Sequence, residues 1–233
     1  TFTIFSVLLF ISATLWAQED KEEKKEPKPV PPPQEFVTSH QGTFGGKVIK
    51  YKAIAGETYL KNEEGEPVAS IWSVTYKLDG PENYNRPVTF VFNGGPGSAS
   101  VWLHLGLFGP QLTKVDSDAR MDDGAAPYPL VNNNYGILDL TDLVFIDPVG
   151  TGYSRVVGKG KVEDYWGLNE DAKSIAKFMR LWVTKYKRWN SPKYIAGESF
   201  GTTRAGAVNY ELEAGGQEMA LNGLILISQC LDY

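Results

Sequence analysis

The densest concentration of chemistry in the chain is Gly197-Glu198-Ser199-Phe200-Gly201. It follows the apolar run Lys193-Tyr194-Ile195-Ala196 and precedes Ala205, Ala207, Val208 and Leu212, which suit a helix. A Gly-x-Ser-x-Gly segment between a strand and a helix is a nucleophile elbow, a turn too tight for side chains two residues either side of the serine. It lifts the Ser199 hydroxyl above the strand ends. It also sets it at a helix N-terminus, where backbone N–H groups favour developing negative charge. The same five residues in an ordinary loop would be only a glycine-flanked serine, and the flanking strand and helix favour the elbow.

A second glycine-rich segment, Asn93-Gly94-Gly95-Pro96-Gly97, follows the apolar run Val88 to Phe92. Bare backbone at a strand's C-terminal end can approach a ligand closely. By itself the segment fits a tight turn, a phosphate cradle or an oxyanion loop. It lacks the Gly-Lys-Ser/Thr ending of a phosphate-binding P-loop. The downstream elbow selects the oxyanion reading, with N–H donors from Gly95 and from Phe200, the residue after the nucleophile.

Four short continuous apolar runs, Val88 to Phe92, Asp142 to Ile146, Lys193 to Ala196 and Leu224 to Ile227, read as strands buried on both faces of a mostly parallel sheet. Between the second and third, Leu168, Ala172, Ile175, Met179, Trp182 and Tyr186 recur at helical spacing. Glu170 and Asp171 open that helix, Lys185, Lys187 and Arg188 close it, and Pro192 stops it, in keeping with the helix dipole. Such alternation implies βαβ crossovers. Upstream, Val48 to Tyr51, Glu57 to Leu60 and Val68 to Tyr76 alternate in short runs separated by glycine and Asn-Glu-Glu-Gly segments, which predicts antiparallel hairpins. The expected class from this alternation is α/β with an antiparallel N-terminal hairpin region; with the nucleophile elbow the expected fold is that of an α/β-hydrolase, over residues 41–233.

Before that domain, Phe2 to Trp16 is an almost unbroken apolar run followed by Ala17, which reads as a signal peptide over residues 1–17 whose basic start is absent. The run is short of the roughly 20 residues of a membrane-spanning helix. Residues 18–40 are charged and then proline-rich and read as a disordered tether. The expected product is secreted or periplasmic, touching a membrane only through the export segment. Among 233 residues the net charge is -5, which argues against nucleic acid as a partner. One cysteine, Cys230, allows no internal disulfide, and two histidines leave little for a His/Cys metal site; counting leaves a carboxylate site for calcium or magnesium open, and no cofactor is expected.

Three motifs in order resemble the serine carboxypeptidases, peptidase family S10. They are Asn93-Gly-Gly-Pro-Gly97, Phe145-Ile-Asp-Pro-Val-Gly-Thr-Gly-Tyr-Ser154 and Tyr194-Ile-Ala-Gly-Glu-Ser-Phe-Gly201, with Gly109-Pro110 at the family's usual distance after the first. The resemblance covers about the N-terminal half of a typical member. It implies release of C-terminal residues from peptides through an acyl-enzyme, with Asn93 and Glu198 binding the terminal carboxylate of a peptide with a free C-terminus. Two acids share a hydrogen bond only when one is protonated, so the resemblance also implies a preference for acidic pH. The chain departs from well-known members at Ser98 (often Cys), Leu107 (a second Glu) and Val91 (Trp), which thins that carboxylate network.

In α/β-hydrolases the triad runs Ser, then Asp or Glu, then His. No histidine follows Ser199; His40 and His104 both precede it, and His104 reads as a loop or wall residue. Asp147, also upstream, and Tyr153 read as pocket or loop supports. Trp72, Trp102, Trp166, Trp182 and Trp189 read as core or cleft-wall aromatics. The chain is expected to be the front portion of a longer protein, inactive alone because serine without its base is a weak nucleophile. Acyl transfer or ester cleavage on the same fold, and a non-catalytic hydrolase-like binding protein, are the competing readings.

Overall fold

A computed structural model describes residues 29–115 and 126–230; the expected signal peptide and residues 18–28 of the expected tether lie outside these. The elements, in chain order, are β1 (Glu35–Phe44), β2 (Lys47–Lys61), β3 (Pro67–Leu78), β4 (Val88–Phe92), α1 (Val101–Leu103, continued by a π-turn over His104–Phe108), β5 (Gln111–Thr113) and β6 (Leu130–Asn132). Then come β7 (Asp142–Ile146), β8 (Arg155–Val156), a 3-10 turn over Val162–Tyr165, α2 (Leu168–Lys185), β9 (Lys193–Glu198), α3 (Phe200–Glu213) and β10 (Gly223–Ile227).

The main sheet has the order β1-β2-β3-β7-β4-β9-β10, with β8 added to β3; β5 and β6 form a separate two-stranded ribbon. From β7 to β10 every pairing is parallel, and from β1 to β7 every pairing is antiparallel. This is the α/β arrangement with an antiparallel opening expected from the alternating strands and helices, and the α/β-hydrolase fold expected from the elbow. The three apolar runs that form β4, β7 and β9 occupy the middle of the sheet, where both faces are covered. Strand periodicity therefore divides their side chains between two cores. Phe90, Phe92, Val144, Ile146 and Ile195 meet α2 and α3 on one face. Val91, Leu143, Phe145 and Ala196 meet Phe44, Tyr51, Leu103 and Leu138 on the other.

Two boundaries differ from the sequence reading. The tether was expected to reach residue 40, yet β1 begins at Glu35 and pairs with β2 along its whole length. Long-range backbone bonding supplies there what local composition does not. The runs at 48–51 and 57–60 were expected to be separate strands, but both lie in β2. Gly56 between them pairs with Glu35 on one side and Ser73 on the other. A Cβ at Gly56 would sit 2.6 Å from the Gln34 carbonyl oxygen, so this glycine marks a close crossing and not a turn. The turns lie at Gly45-Gly46, both with positive φ, and at 62–66, where Asn62 Oδ1 accepts the Glu66 N–H at 2.8 Å.

The N-terminal ends of the parallel strands are held by charge. Asp142, first in β7 and 2% exposed, accepts from Arg86 Nε at 2.8 Å and from Arg188 Nη1 at 2.6 Å. Arg188 also donates to Ser191 Oγ and to the Arg86 carbonyl. Removing one partner of a buried ion pair leaves uncompensated charge and costs about 3–5 kcal/mol. Asp142→Ala in the full-length protein is accordingly expected to lose about 3–5 kcal/mol of unfolding free energy. Urea denaturation checks this, and a loss under about 1 kcal/mol would show the triad to be solvated.

Candidate active site

The site is set by register. In the parallel β4–β9 pair, Phe92 lies beside Gly197, so the next residues, Asn93 and Glu198, emerge together at the strands' C-terminal ends. Asn93 Nδ2 donates to Glu198 Oε2 at 3.1 Å, and Asn93 Oδ1 accepts the Leu103 N–H at 2.9 Å. Asn93 is buried, while Glu198 and Ser199 are half-buried.

Ser199 has φ 56° and ψ -125°, the positive-φ conformation of a strand-to-helix elbow. For a non-glycine residue this costs on the order of 1–3 kcal/mol and persists only where the surroundings impose it. Here the Ser199 N–H donates to the Ile227 carbonyl at 3.0 Å, and its own carbonyl accepts from the N–H and the hydroxyl of Thr202 at 2.9 and 2.7 Å. The flanking glycines are required by contact: a Cβ at Gly197 would lie 2.2 Å from the Gly201 carbonyl oxygen.

The glycine loop touches the elbow backbone to backbone. A Cβ at Gly94 would lie 2.5 Å from Phe200 N, 2.6 Å from the Glu198 carbonyl oxygen and 2.8 Å from Gly201 N. The Gly94 carbonyl accepts the Ser98 N–H at 3.1 Å, and a trans peptide then turns the Gly95 N–H the opposite way. Gly95 itself is exposed. The structure thus brings Asn93, Gly95, Glu198, Ser199 and Phe200 to one rim of the sheet.

The second motif supports this rim from the neighbouring strand. Asp147, just past β7, accepts the Ser100 N–H at 2.9 Å, and Ser154 Oγ links the Asp147 carbonyl (2.6 Å) to the Trp72 N–H (2.7 Å). Burial pushes the Asp147 carboxyl above its ordinary value, with the backbone donors Ser100 and Tyr153 pulling against it. Next to the glycine loop lies a mainly apolar cleft of about 500 Å³, walled by Pro96, Gly97, Val149, Trp166 and Phe200, with Arg204 at its edge.

Neither histidine meets Ser199. His40, on β1, bonds Thr38 Oγ1 at 2.7 Å and stacks on Tyr51. His104 lies 2.7 Å from the Tyr76 hydroxyl and stacks on Phe145 at 4.3 Å between ring centres, a wall residue as expected. Among the tryptophans, Trp182 is core and Trp166 is cleft wall, but Trp102 is 71% exposed, so the core-or-wall expectation fails for it. Its place beyond the buried face of α1, which Leu103 occupies, turns it outward.

Sequence reading missed one buried pair beside the site. Arg204, 1% exposed on α3, donates from Nε to Asp171 Oδ2 at 2.5 Å, and Asp171 had been read only as a dipole-stabilising acid. The signal was present: Arg204 stands four residues before Val208 and eight before Leu212, on the apolar face of α3.

A family model described as serine carboxypeptidase matches residues 57–232. The chain belongs to the serine carboxypeptidase family. Serine carboxypeptidase-like 16 of Arabidopsis thaliana is 27% identical over 154 residues, spanning 63% of this chain and 34% of that protein. The pheromone-processing carboxypeptidase KEX1 of Saccharomyces cerevisiae is 28% identical over 199 residues, spanning 80% of this chain and 24% of that protein. The chain thus spans about a third or less of the length of these relatives. A solved structure of a prohormone-processing carboxypeptidase from Saccharomyces cerevisiae superposes with a TM-score of 0.53 at 21% identity, over 75% of this chain and 38% of that one, which establishes the shared fold.

His104 generates a pH prediction. Desolvation pushes its pKa down to about 4, below the ordinary value of about 6.5. The folded state therefore binds fewer protons than the unfolded one between these values. The stability contribution is complete above about pH 6.5 and is lost as pH falls toward about 4, by up to about 3 kcal/mol. His104→Gln keeps a polar partner for Tyr76 but cannot titrate. Unfolding free energies of the full-length protein between pH 7 and 4 are expected to fall less steeply in this variant.

Proposed function

We propose that the full-length protein is an exported serine-type carboxypeptidase, with Ser199 as nucleophile and a peptide bearing a free C-terminus as substrate. The observation that carries this reading is the Asn93–Glu198 hydrogen bond formed beside Ser199 at the joined ends of β4 and β9. A carboxylate arriving there meets an amide donor and an acid. Asn93 keeps one N–H beyond the one given to Glu198. Glu198 and the terminal carboxylate share a hydrogen bond when one of them is protonated.

In the proposed reaction Ser199 Oγ attacks the carbonyl carbon of the last peptide bond while a histidine accepts its proton. The Gly95 and Phe200 N–H groups hold the oxyanion. Collapse breaks the C–N bond, the histidine returns the proton to the departing amino group, and the acyl-enzyme is hydrolysed by water. Chain order in this fold puts the acid and the histidine after Ser199. His40 and His104 are engaged elsewhere, so the 233-residue chain by itself is inactive. Export rests on the apolar run Phe2 to Trp16.

The test uses the full-length protein and a blocked dipeptide with a free C-terminus, beside its C-terminal amide and an ester, from about pH 4 to 8, spanning the Glu and His range. Preferred cleavage of the free acid, abolished in Ser199→Ala, with KM rising as pH increases for the acid but not for the amide, is the expected result. Equal rates for acid and amide would remove the carboxylate clamp. Ester cleavage alone would make the protein an esterase or acyltransferase, and no Ser199-dependent turnover would leave a binding protein.

A further inference from the structure

We propose that Arg204 is a positioning residue that holds the oxyanion loop in register with the elbow, an inference that rests on the hydrolase reading above for its catalytic consequence. Its guanidinium is buried and divides its donors three ways. Nε pairs with Asp171 at the start of α2, Nη1 donates to the Asn93 carbonyl at 2.5 Å, and Nη2 donates to the Pro96 carbonyl at 3.2 Å. Asn93 and Pro96 bracket Gly94-Gly95. One planar group therefore grips both ends of the segment that carries the expected Gly95 donor. The guanidinium also lies against two rings, Phe92 at 5.5 Å and Phe200 at 5.2 Å, one at the end of β4 and one in the elbow.

The arrangement does more than neutralise a buried charge. Asp171 alone would satisfy charge balance, yet two of the three partners are loop carbonyls. The Asn93 and Pro96 carbonyls flank the Gly94–Gly95 peptide unit that carries the expected Gly95 donor, so fixing both oxygens fixes the direction of that unit. Glycine-rich backbone has the most conformational freedom to lose, and Gly94 and Gly95 have no side chains to anchor them. Lysine cannot reproduce the grip, since an ammonium is a point donor without the planar fork.

The experiment compares Arg204→Lys with Arg86→Lys in the full-length protein. Arg86 is a second largely buried arginine that bonds the Leu138 and Asp139 carbonyls and Asp142, at the opposite end of the strands. Losing an oxyanion donor outright costs about 100- to 1,000-fold in kcat. A loop left loosely held is expected to cost about 10- to 100-fold. Arg204→Lys should therefore lower kcat by about 10-fold or more with KM changed less than about 3-fold, and weaken a peptide boronate in parallel with kcat. Hydrogen exchange across residues 93–98 should quicken in Arg204→Lys while α3 keeps its protection. Arg86→Lys should lower stability without either effect. Equal kcat in wild type and Arg204→Lys, or unaltered exchange in the loop, would reduce Arg204 to a fold staple and overturn the proposal. If wild type turns over no substrate, the hydrolase reading fails, and loop exchange still decides whether Arg204 holds the segment.

Discussion

Everything at this site depends on how closely two backbones approach. Gly94 lies so near Phe200 N and the Glu198 carbonyl oxygen that any side chain there would collide with main-chain atoms on the elbow. That contact sets the spacing between the two expected oxyanion donors. It is possible only because β4 and β9 are parallel neighbours whose ends coincide at Phe92 and Gly197. Parallel pairing of short strands buried on both faces is thus the first requirement. The glycines then allow the loops to close over the shared edge.

Such closure leaves polar backbone in a confined space, and the protein satisfies it with side chains at both ends of the sheet. At the N-terminal ends, Asp142 gathers Arg86 and Arg188, and these arginines in turn bond the carbonyls of neighbouring loops. At the C-terminal ends, Arg204 and Asp171 do the same for the glycine loop. Among the described residues, no buried side-chain nitrogen or oxygen lacks a partner. Charge inside the domain therefore works as a tie between loops. The same economy explains Asp147, whose carboxylate and carbonyl join the second motif to α1 and β3.

The central strands and the long helix were legible because each carries an unbroken local signal. The apolar runs at 88–92 and 142–146 correspond residue for residue to β4 and β7, and the run opening at Leu168 forms α2. The elbow and the glycine loop were legible for a different reason: their geometry admits few residue types, so steric exclusion writes itself into the sequence. Local signals misled in the antiparallel region. There Gly56 looks like a break and is instead a crossing point, and residues 35–40 look like tether and are instead strand. Edge pairing is a property of two segments together.

The sequence by itself determined the α/β class and the identity of Ser199 at an elbow, since these follow from periodicity and from turns only glycine can make, while the three ordered motifs carried a resemblance to the serine carboxypeptidases. Only the tertiary structure decided which side chains meet. Register between β4 and β9 joins Asn93 to Glu198 across 105 positions of chain. Helix packing turns Asp171 from a dipole partner into the counter-charge of Arg204, 33 positions away. Desolvation against Phe145 and Tyr76 makes His104 a neutral wall residue. Each of these depends on neighbours remote in sequence, and contact, burial and dielectric are set by the folded arrangement.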